Sequence, residues 1–421
     1  MNGFILLPAR IKKACRILGP GLITGASDDD PSGIATYSQA GAGFGFATLW
    51  TAMITFPLMA AVQEMCARIG MVTQEGLTAT IKKKYPKSIL YLMAVFSFPA
   101  ITLNIGADIQ GMGAVANLLV PQIPTFAFSI SFTVLLIFSI IKFPYQKLAA
   151  ALKWLCLTLL LYVVVPFLVH ADWVEVMKST IVPTIHFNKA FIEILVAILG
   201  TTISPYLFFW QATMEAEDIS HSHKAIIINK RILGNMRMDI DFGMLFSNLV
   251  MFFIILTTGA VLYKAGITQI DTVGQAAKAL EPLTGKLTYL LFAVGVIGTG
   301  FLAIPVLAGS LSYILAETFN WKEGLDKKFH EAKGFYITLI VSLIVGLSLD
   351  FLGISPIQAL ISTAVLYGLT APVMIAIIMH ICNNKKVMGE FTNKRWSNVL
   401  GSITLTLMSV AAVALIYFHF Q

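Results

Sequence analysis

Long apolar stretches alternate with short polar connections along the whole chain. A helix needs about 20 apolar residues to span the hydrocarbon core of a bilayer, and a window of that length predicts eleven membrane-spanning segments. Their approximate bounds are 17–43, 46–70, 88–120, 124–143, 147–170, 190–213, 241–263, 287–315, 334–350, 354–382 and 397–419. The pattern predicts an all-α polytopic membrane protein whose connections are too short for a soluble domain.

Composition supports this class, because 57% of the 421 residues are hydrophobic and only 12% are charged. The first segment is too long, too charged and too rich in glycine for a signal peptide, so we expect it to remain in the mature protein. Glu193, Asp239 and Asp241 stand near the ends of segments and are interpreted as solvated.

Lysine and arginine residues are distributed unequally between the two sides of the predicted membrane. With a cytoplasmic amino terminus, the outer connections carry only Lys178, Lys189, Lys264, Lys278 and Lys286. Because cytoplasmic loops concentrate basic residues, we expect a cytoplasmic amino terminus and an external carboxyl terminus in the inner or plasma membrane. The net charge of +7 then reflects contact of basic loops with the lipid bilayer, and no nucleic-acid partner is implied.

Three consecutive aspartates, Asp28, Asp29 and Asp30, interrupt the first apolar segment and are followed by Pro31 and Gly33. A carboxylate at membrane depth costs at least about 2.5 kcal/mol, so it is retained where it meets water, a cation or a polar partner. Proline removes a backbone donor and glycine weakens a helix, so the segment is predicted to unwind there and to free carbonyl oxygens. Carboxylates beside an unwound turn indicate a cation site.

A second interruption lies in the sixth segment, at 200–206, where glycine, hydroxyl side chains and proline stand in an apolar run. Segments one and six begin two sets of five, and an odd number of spans gives the two sets opposite topology. We therefore predict two inverted five-helix repeats, 17–170 and 190–382, plus an eleventh helix at 397–419. Substrate is expected between the two breaks, near the midplane.

Each acidic candidate has a structural alternative. Asp30 adjoins the break and is the leading ligand, with capping of the following half helix as the alternative. Asp28 and Asp29 are expected to contact the ion directly or through water, or else to pair with a cation or cap a helix. Asp108 in the third segment is predicted to serve the ion pathway or to bond a neighbouring helix.

The second break offers neutral ligands: the carbonyl of Thr201 and the hydroxyl of Ser204. Hydroxyls in membrane helices also bond the preceding turn, which is the alternative for Ser204. Tyr206 and Gln211 either orient water around the ion or pack against neighbours.

Other functional classes fit the sequence less well. The chain has no phosphate-binding loop, no H-E-x-x-H and no G-x-S-x-G motif, so an enzyme is not expected, and no obligate protein partner is evident. A cation-coupled carrier of organic solutes, such as amino acids, would share the architecture and remains an alternative. The three aspartates argue against it, because they would repel an anionic carboxylate substrate.

Three stretches, 19–33, 63–73 and the glycine-rich 291–309, resemble the Nramp divalent-metal transporters in order and spacing. The resemblance covers most of segments one to ten. It implies a leucine-transporter-like fold of two inverted five-helix repeats, in agreement with the repeat inferred above.

Departures from the family pattern concern the predicted ligands. In Nramps the first helix carries Asp-Pro-Gly-Asn; here the metal-binding aspartate corresponds to Asp30 and the asparagine to Gly33. The Met-Pro-His of the sixth helix is replaced by Ser204, Pro205 and Tyr206. Oxygen ligands without sulfur or imidazole suit Mg²⁺ first and Mn²⁺ second. The altered pattern resembles the Nramp-related magnesium transporters, and the transported ion is the only metal implied.

The third helix of the family carries an aspartate and, three residues later, a glutamate linked to proton movement. This chain keeps Asp108 but has Gly111 at the second position. We therefore expect import of the divalent cation by alternating access without proton coupling. A proton-coupled Mn²⁺ or Fe²⁺ symporter is the alternative within the family.

Overall fold

The computed structural model describes residues 19–143, 157–221, 228–284 and 287–419, and all regular structure in these ranges is helical. The helices of the first half are α1 (Pro20–Asp28), α2 (Pro31–Phe44), α3 (Trp50–Thr73), α4 (Leu77–Lys84), α5 (Lys87–Leu119), α6 (Thr125–Lys142), α7 (Leu161–Leu168) and α8 (Trp173–Ile181). The second half contains α9 (Lys189–Thr202), α10 (Pro205–His221), α11 (Lys230–Thr258), α12 (Val273–Ala277), α13 (Glu281–Thr284), α14 (Thr288–Phe319), α15 (Lys333–Leu347), α16 (Pro356–Asn383), α17 (Lys385–Met388) and α18 (Arg395–His419).

Within the described ranges, seven helical stretches are long and apolar enough to cross a membrane: Lys87–Leu119, Thr125–Lys142, Lys189–Ser220, Lys230–Tyr263, Thr288–Phe319, Pro356–Asn383 and Arg395–Phe418. A shorter apolar helix, Lys333–Leu347, coincides with the ninth predicted segment. Many large apolar side chains on these helices are exposed, as expected for surfaces that face lipid. The protein is therefore an integral, multi-pass membrane protein.

The first and sixth predicted segments are each divided into two half helices, α1 with α2 and α9 with α10. Residues 147–156 of the fifth segment lie outside the described ranges, and α7 lies in the remainder of that segment. The assignment of 17–170 and 190–382 to two repeats, with 397–419 as an addition, stays a prediction.

The broken first segment lies at the centre of the helical bundle. α1 packs along α11, while α2 contacts both α11 and α16. The contact with α11 is unusually close, because a Cβ atom on Gly25 would lie 2.2 Å from the carbonyl oxygen of Gly243. α5 packs against α14 and α16 and completes the surroundings of the break.

Candidate functional site

The first break follows from the local sequence. α1 ends at Asp28, and Asp29 leaves the helical region with φ −82° and ψ 52°. Asp30 is extended, with φ −70° and ψ 170°, and Pro31 begins α2. Proline is favourable at the first helical position because that residue needs no amide donor.

The second break has almost the same construction. α9 ends at Thr202, Ile203 has φ −116° and ψ 56°, and α10 begins at Pro205. Both predicted interruptions are therefore present, each with two non-helical residues followed by proline. Their polar contents differ.

Asp30 links the break to the third segment. Its Oδ1 accepts a hydrogen bond of 2.7 Å from the backbone N–H of Gly33, and its Oδ2 accepts one of 3.0 Å from Nδ2 of Asn104. The carboxylate thus caps α2 and is held in place by α5. Each oxygen keeps a lone pair that these bonds do not use.

Asp28 and Asp29 face α11 instead. The hydroxyl oxygen of Ser247 lies 2.7 Å from Oδ2 of Asp28 and 3.3 Å from Oδ1 of Asp29. A hydroxyl has one proton to donate, so it cannot fully satisfy two carboxylates. The other oxygens, Oδ1 of Asp28 and Oδ2 of Asp29, are buried and accept no hydrogen bond.

Asp108 approaches the same break from α5. Its Oδ1 accepts a bond of 3.2 Å from the backbone N–H of Ser32, and its Oδ2 is buried without a hydrogen-bond partner. A hydroxyl pair connects this region to α16, because Thr363 donates to Oδ1 of Asn104 at 2.9 Å and lies 3.2 Å from the hydroxyl of Ser32. Asp30 and Asp108 therefore belong to one polar network.

The two breaks lie close to each other at Gly33. A Cβ atom on this residue would lie 3.3 Å from the hydroxyl oxygen of Thr201, 3.3 Å from the carbonyl oxygen of Asp28 and 3.4 Å from the Tyr37 ring. Gly33 of the first break therefore lies beside Thr201 of the second. A larger side chain at this position would occupy the space between the breaks.

The remaining candidates of the sixth segment lie around this centre. The Ser204 hydroxyl lies 2.6 Å from the Thr201 carbonyl oxygen and 3.0 Å from that of Gly200, as in the alternative interpretation. Tyr206 donates to the Ser27 carbonyl oxygen at 3.2 Å. The Tyr206 contact fastens α10 to the end of α1.

Gln211 lies one helical turn beyond Tyr206. Its Oε1 accepts from the Thr24 hydroxyl at 2.6 Å, and its Nε2 donates to Oε1 of Glu215 at 2.9 Å. The residue thus joins α10 to α1 rather than facing the break directly.

Asp28, Asp29, Asp30 and Asp108 are all exposed by 2% or less. Within the described ranges, no lysine, arginine or histidine nitrogen lies within 4.0 Å of any of their carboxylate oxygens. Four carboxyl groups at membrane depth thus have hydroxyl, amide and backbone partners but no basic partner among the described residues. This arrangement favours binding of a positive charge from outside the protein.

The carboxylates do not converge on one point. In the part of the chain that the structure describes, no group of three or more His, Cys, Asp or Glu side chains is spaced to hold a metal. An ion at the break would therefore be shared among carboxylate, hydroxyl and carbonyl oxygens and water. Such a ligand set suits a hard divalent cation that keeps part of its hydration shell.

Gly111 lies in apolar surroundings. A Cβ atom there would be 3.2 Å from Cδ1 of Leu360 and 3.7 Å from Cβ of Pro31. The adjoining cavity of about 20 Å³ is lined by apolar residues, including Val115 and Phe292. Among the described residues, none with an acidic side chain lines this cavity, which adjoins the position of the glutamate in the Nramp pattern.

The interpretation of Asp239 as a solvated residue is wrong. Its carboxylate accepts hydrogen bonds from the backbone N–H groups of Gly19 at 2.8 Å, Gly21 at 2.7 Å and Leu22 at 3.3 Å. These are free donors at the amino terminus of α1, which attract a negative charge. Glu193 is exposed and Asp241 is partly exposed, as expected.

Sequence reasoning missed two direct partners of the aspartates, Asn104 and Ser247, and Thr363, which is bonded to Asn104. Asn104 stands four residues before Asp108 in an apolar helix, a spacing that places both on one face and was a usable signal. Nothing in the sequence connects Ser247 or Thr363 to the break, because both come from helices distant along the chain.

The sequence is similar to those of known metal transporters along almost its whole length. The sequence profile described as "Natural resistance-associated macrophage protein-like" (Nramp) matches residues 21–418. The divalent metal cation transporter MntH of Caldanaerobacter subterraneus is 24% identical over 98% of this chain and 95% of its own length. MntH of Bacillus subtilis is 22% identical over 96% of this chain and 92% of its own length.

Solved structures show the same fold. The Eremococcus coleocola manganese transporter, in complex with an aromatic bis-isothiourea compound, has a TM-score of 0.74 at 18% identity and covers 98% of this chain and 89% of its own. MhsT in complex with L-phenylalanine has a TM-score of 0.64 at 13% identity and covers 96% of this chain and 98% of its own. The prediction of an all-α, leucine-transporter-like fold is confirmed. With a family profile matched from the first half helix to the last helix, the chain belongs to the Nramp family.

Proposed function

We propose that this protein imports divalent metal cations by alternating access around the first break. The observation that carries the proposal is the set of four buried aspartates without a basic side chain within 4.0 Å in the described ranges. The relatives named as divalent metal cation or manganese transporters support the same class of substrate. Because the four side chains are buried, an ion reaches them after the helices around the break move.

The proposed ligands are Asp30, Asp28 and Asp29, with carbonyl and hydroxyl oxygens near Gly33, Thr201 and Ser204. The proposed surroundings of the ion are Asp108, Tyr206 and Gln211. All of these ligands are oxygen atoms, and Ser204 stands where the resembled family has a soft sulfur. Mg²⁺ is therefore the first substrate proposed and Mn²⁺ the second.

Transport without proton coupling is the simplest mechanism for this chain. Gly111 supports it, because glycine has no carboxyl group to carry a proton and its surroundings, Leu360 and Pro31, are apolar. An inside-negative potential favours entry by about 2.3 kcal/mol per charge per 100 mV, and a divalent ion gains this twice. The proposed orientation, with a cytoplasmic amino terminus, places the basic loops on the inside.

The test is uptake into proteoliposomes of the purified protein. Mg²⁺ and Mn²⁺ are offered separately, internal pH is recorded in the same vesicles, and protein-free vesicles serve as the control. Saturable Mg²⁺ entry without acidification is the expected result.

Two other results would favour a different function. Mn²⁺ entry with acidification and no Mg²⁺ entry would indicate a proton-coupled Nramp symporter with unusual ligands. Absence of metal flux under an imposed potential would overturn metal transport and favour a carrier of organic solutes.

A further inference from the structure

A groove opens on the outside of the bundle between α5 and α16. Its volume is about 110 Å³, and most of its lining is apolar. Leu92, Phe96 and Val373 form part of its wall and are 49%, 49% and 48% exposed. Since both helices are long and apolar enough to cross the membrane, the groove faces lipid hydrocarbon rather than water.

Lysines stand at the ends of the two helices that form the groove. Lys84 and Lys87 flank the start of α5, Lys385 and Lys386 begin α17 directly after α16, and all four are exposed. In the described ranges none of them forms an ion pair within 4.0 Å. We call these four residues the lysine cluster.

The ends of α5 and α16 next to these lysines are in contact with each other. The Tyr85 hydroxyl is hydrogen-bonded to Nδ1 of His380, and the two rings lie 5.6 Å apart in an edge-on arrangement. Ile89 and Ile377, which line the groove, belong to the same ends of α5 and α16. The apolar groove therefore leads towards a positively charged rim on one side of the membrane.

We propose that the groove binds one anionic phospholipid, with an acyl chain between α5 and α16 and the phosphate at the lysine cluster. Charge complementarity selects this occupant, because basic pockets between membrane helices attract anionic headgroups. A zwitterionic lipid would fill the groove equally well but would gain much less at the lysines.

The lipid would also contact the transport machinery. The inner lining of the groove includes Pro205, the first residue of α10, and Tyr367. The ring of Tyr367 lies 5.6 Å from that of Tyr206, which is bonded to the end of α1. An acyl chain in the groove therefore borders the second break, whatever ion the protein carries.

The experiment is native mass spectrometry of the full-length protein in detergent, titrated with dioleoyl phosphatidylglycerol or dioleoyl phosphatidylcholine. The apparent affinity for the anionic lipid should be at least tenfold higher. Replacing lysines of the cluster by glutamine should weaken its binding by about fivefold per lysine. A matched control replaces four exposed lysines of another loop, Lys322, Lys327, Lys328 and Lys333, and should retain binding.

The groove itself is tested by Thr370→Phe, which places a ring in its lining, against Val95→Phe on an exposed face of α5 outside it. The first variant should weaken binding of both lipids, and the second should not. Equal affinity for the two lipids, or equal losses in the matched variants, would overturn the proposal. Displacement of the lipid by millimolar inorganic phosphate would also overturn it, since that result would indicate a small-anion site.

Discussion

The two helix breaks are similar in backbone construction and different in chemistry. Each has two non-helical residues before a proline, and the residue that follows the first half helix has ψ 52° in one break and 56° in the other. The first break carries three buried aspartates, whereas the second offers Thr201 and Ser204. The local sequence, with a proline after two non-helical residues, therefore determines the backbone shape of both breaks. Their side chains determine which break attracts a cation.

The difference suggests a division of roles. The first break, with its carboxylates, would attract the cation. The second break would determine the size of the ion that fits and the softness of its ligands. Substitutions that change charge should therefore act most strongly at the first break, and substitutions that change ligand type should act at the second.

The largest effect is expected at Asp30. Asp30→Ala should reduce metal uptake into proteoliposomes by about 100-fold or more, because it removes a carboxylate from the break. Asp30→Asn is the informative companion, since asparagine caps a helix about as well as aspartate but carries no charge. If Asp30→Asn transports normally, Asp30 acts as a cap and the ligand assignment is wrong.

A smaller loss is expected at Ser247, whose hydroxyl contacts both Asp28 and Asp29. Hydrogen bonds to charged groups contribute about 1.5–3 kcal/mol, so Ser247→Ala should lower uptake by about tenfold. Ser247→Thr keeps the hydroxyl and should restore most of the activity. Equal activity of the alanine and threonine variants would show that this contact does not serve transport.

At the second break, substitution is expected to change ion selectivity rather than to reduce metal uptake. Ser204→Met adds a soft thioether and should increase competition by Mn²⁺ and Cd²⁺ several-fold in an uptake assay. Ser204→Ala removes the same hydroxyl without adding sulfur and provides the control. Identical competition profiles for the two variants would count against a ligand at this position.

The smallest effect is expected at Glu323, an acid in the connection after α14 and outside the membrane-spanning helices. Burial, followed by the negative charges of Glu317 and Glu217, raises the pKa of Glu323 to about 9. In the unfolded chain the Glu323 carboxyl group loses its proton near pH 4.3, whereas in the native protein it keeps the proton up to about pH 9. Glu323 therefore increasingly destabilises the fold as pH rises from about 4.3 to about 9.

Glu323→Gln should therefore raise Tm by a few degrees at about pH 8 and leave it unchanged at about pH 4. The measurement is thermal unfolding of the purified protein in detergent. A shift of equal size at both pH values would mean that the substitution acts through packing rather than through the charge.

Much of the fold could be predicted because its signals are local. Pro31 and Pro205 mark the starts of half helices, and the apolar runs give the bounds of most long helices to within a few residues.

The polar partners of the aspartates could not be predicted in the same way. Ser247 and Thr363 reach the break through tertiary packing, and a single sequence does not show which helices become neighbours. Asp239 looked solvated because it stands near the end of an apolar segment, yet the amino terminus of α1 covers it.

The close packing of α1 on α11 has a consequence for the evolution of the protein. The atom that excludes a side chain at Gly25 is the backbone oxygen of Gly243, and at Gly243 it is the backbone oxygen of Gly21. Where two side chains collide, a mutation in one can be compensated by a smaller residue in the other. Backbone atoms cannot be exchanged in this way, so related sequences with this helix contact should retain glycine at these positions rather than show covariation.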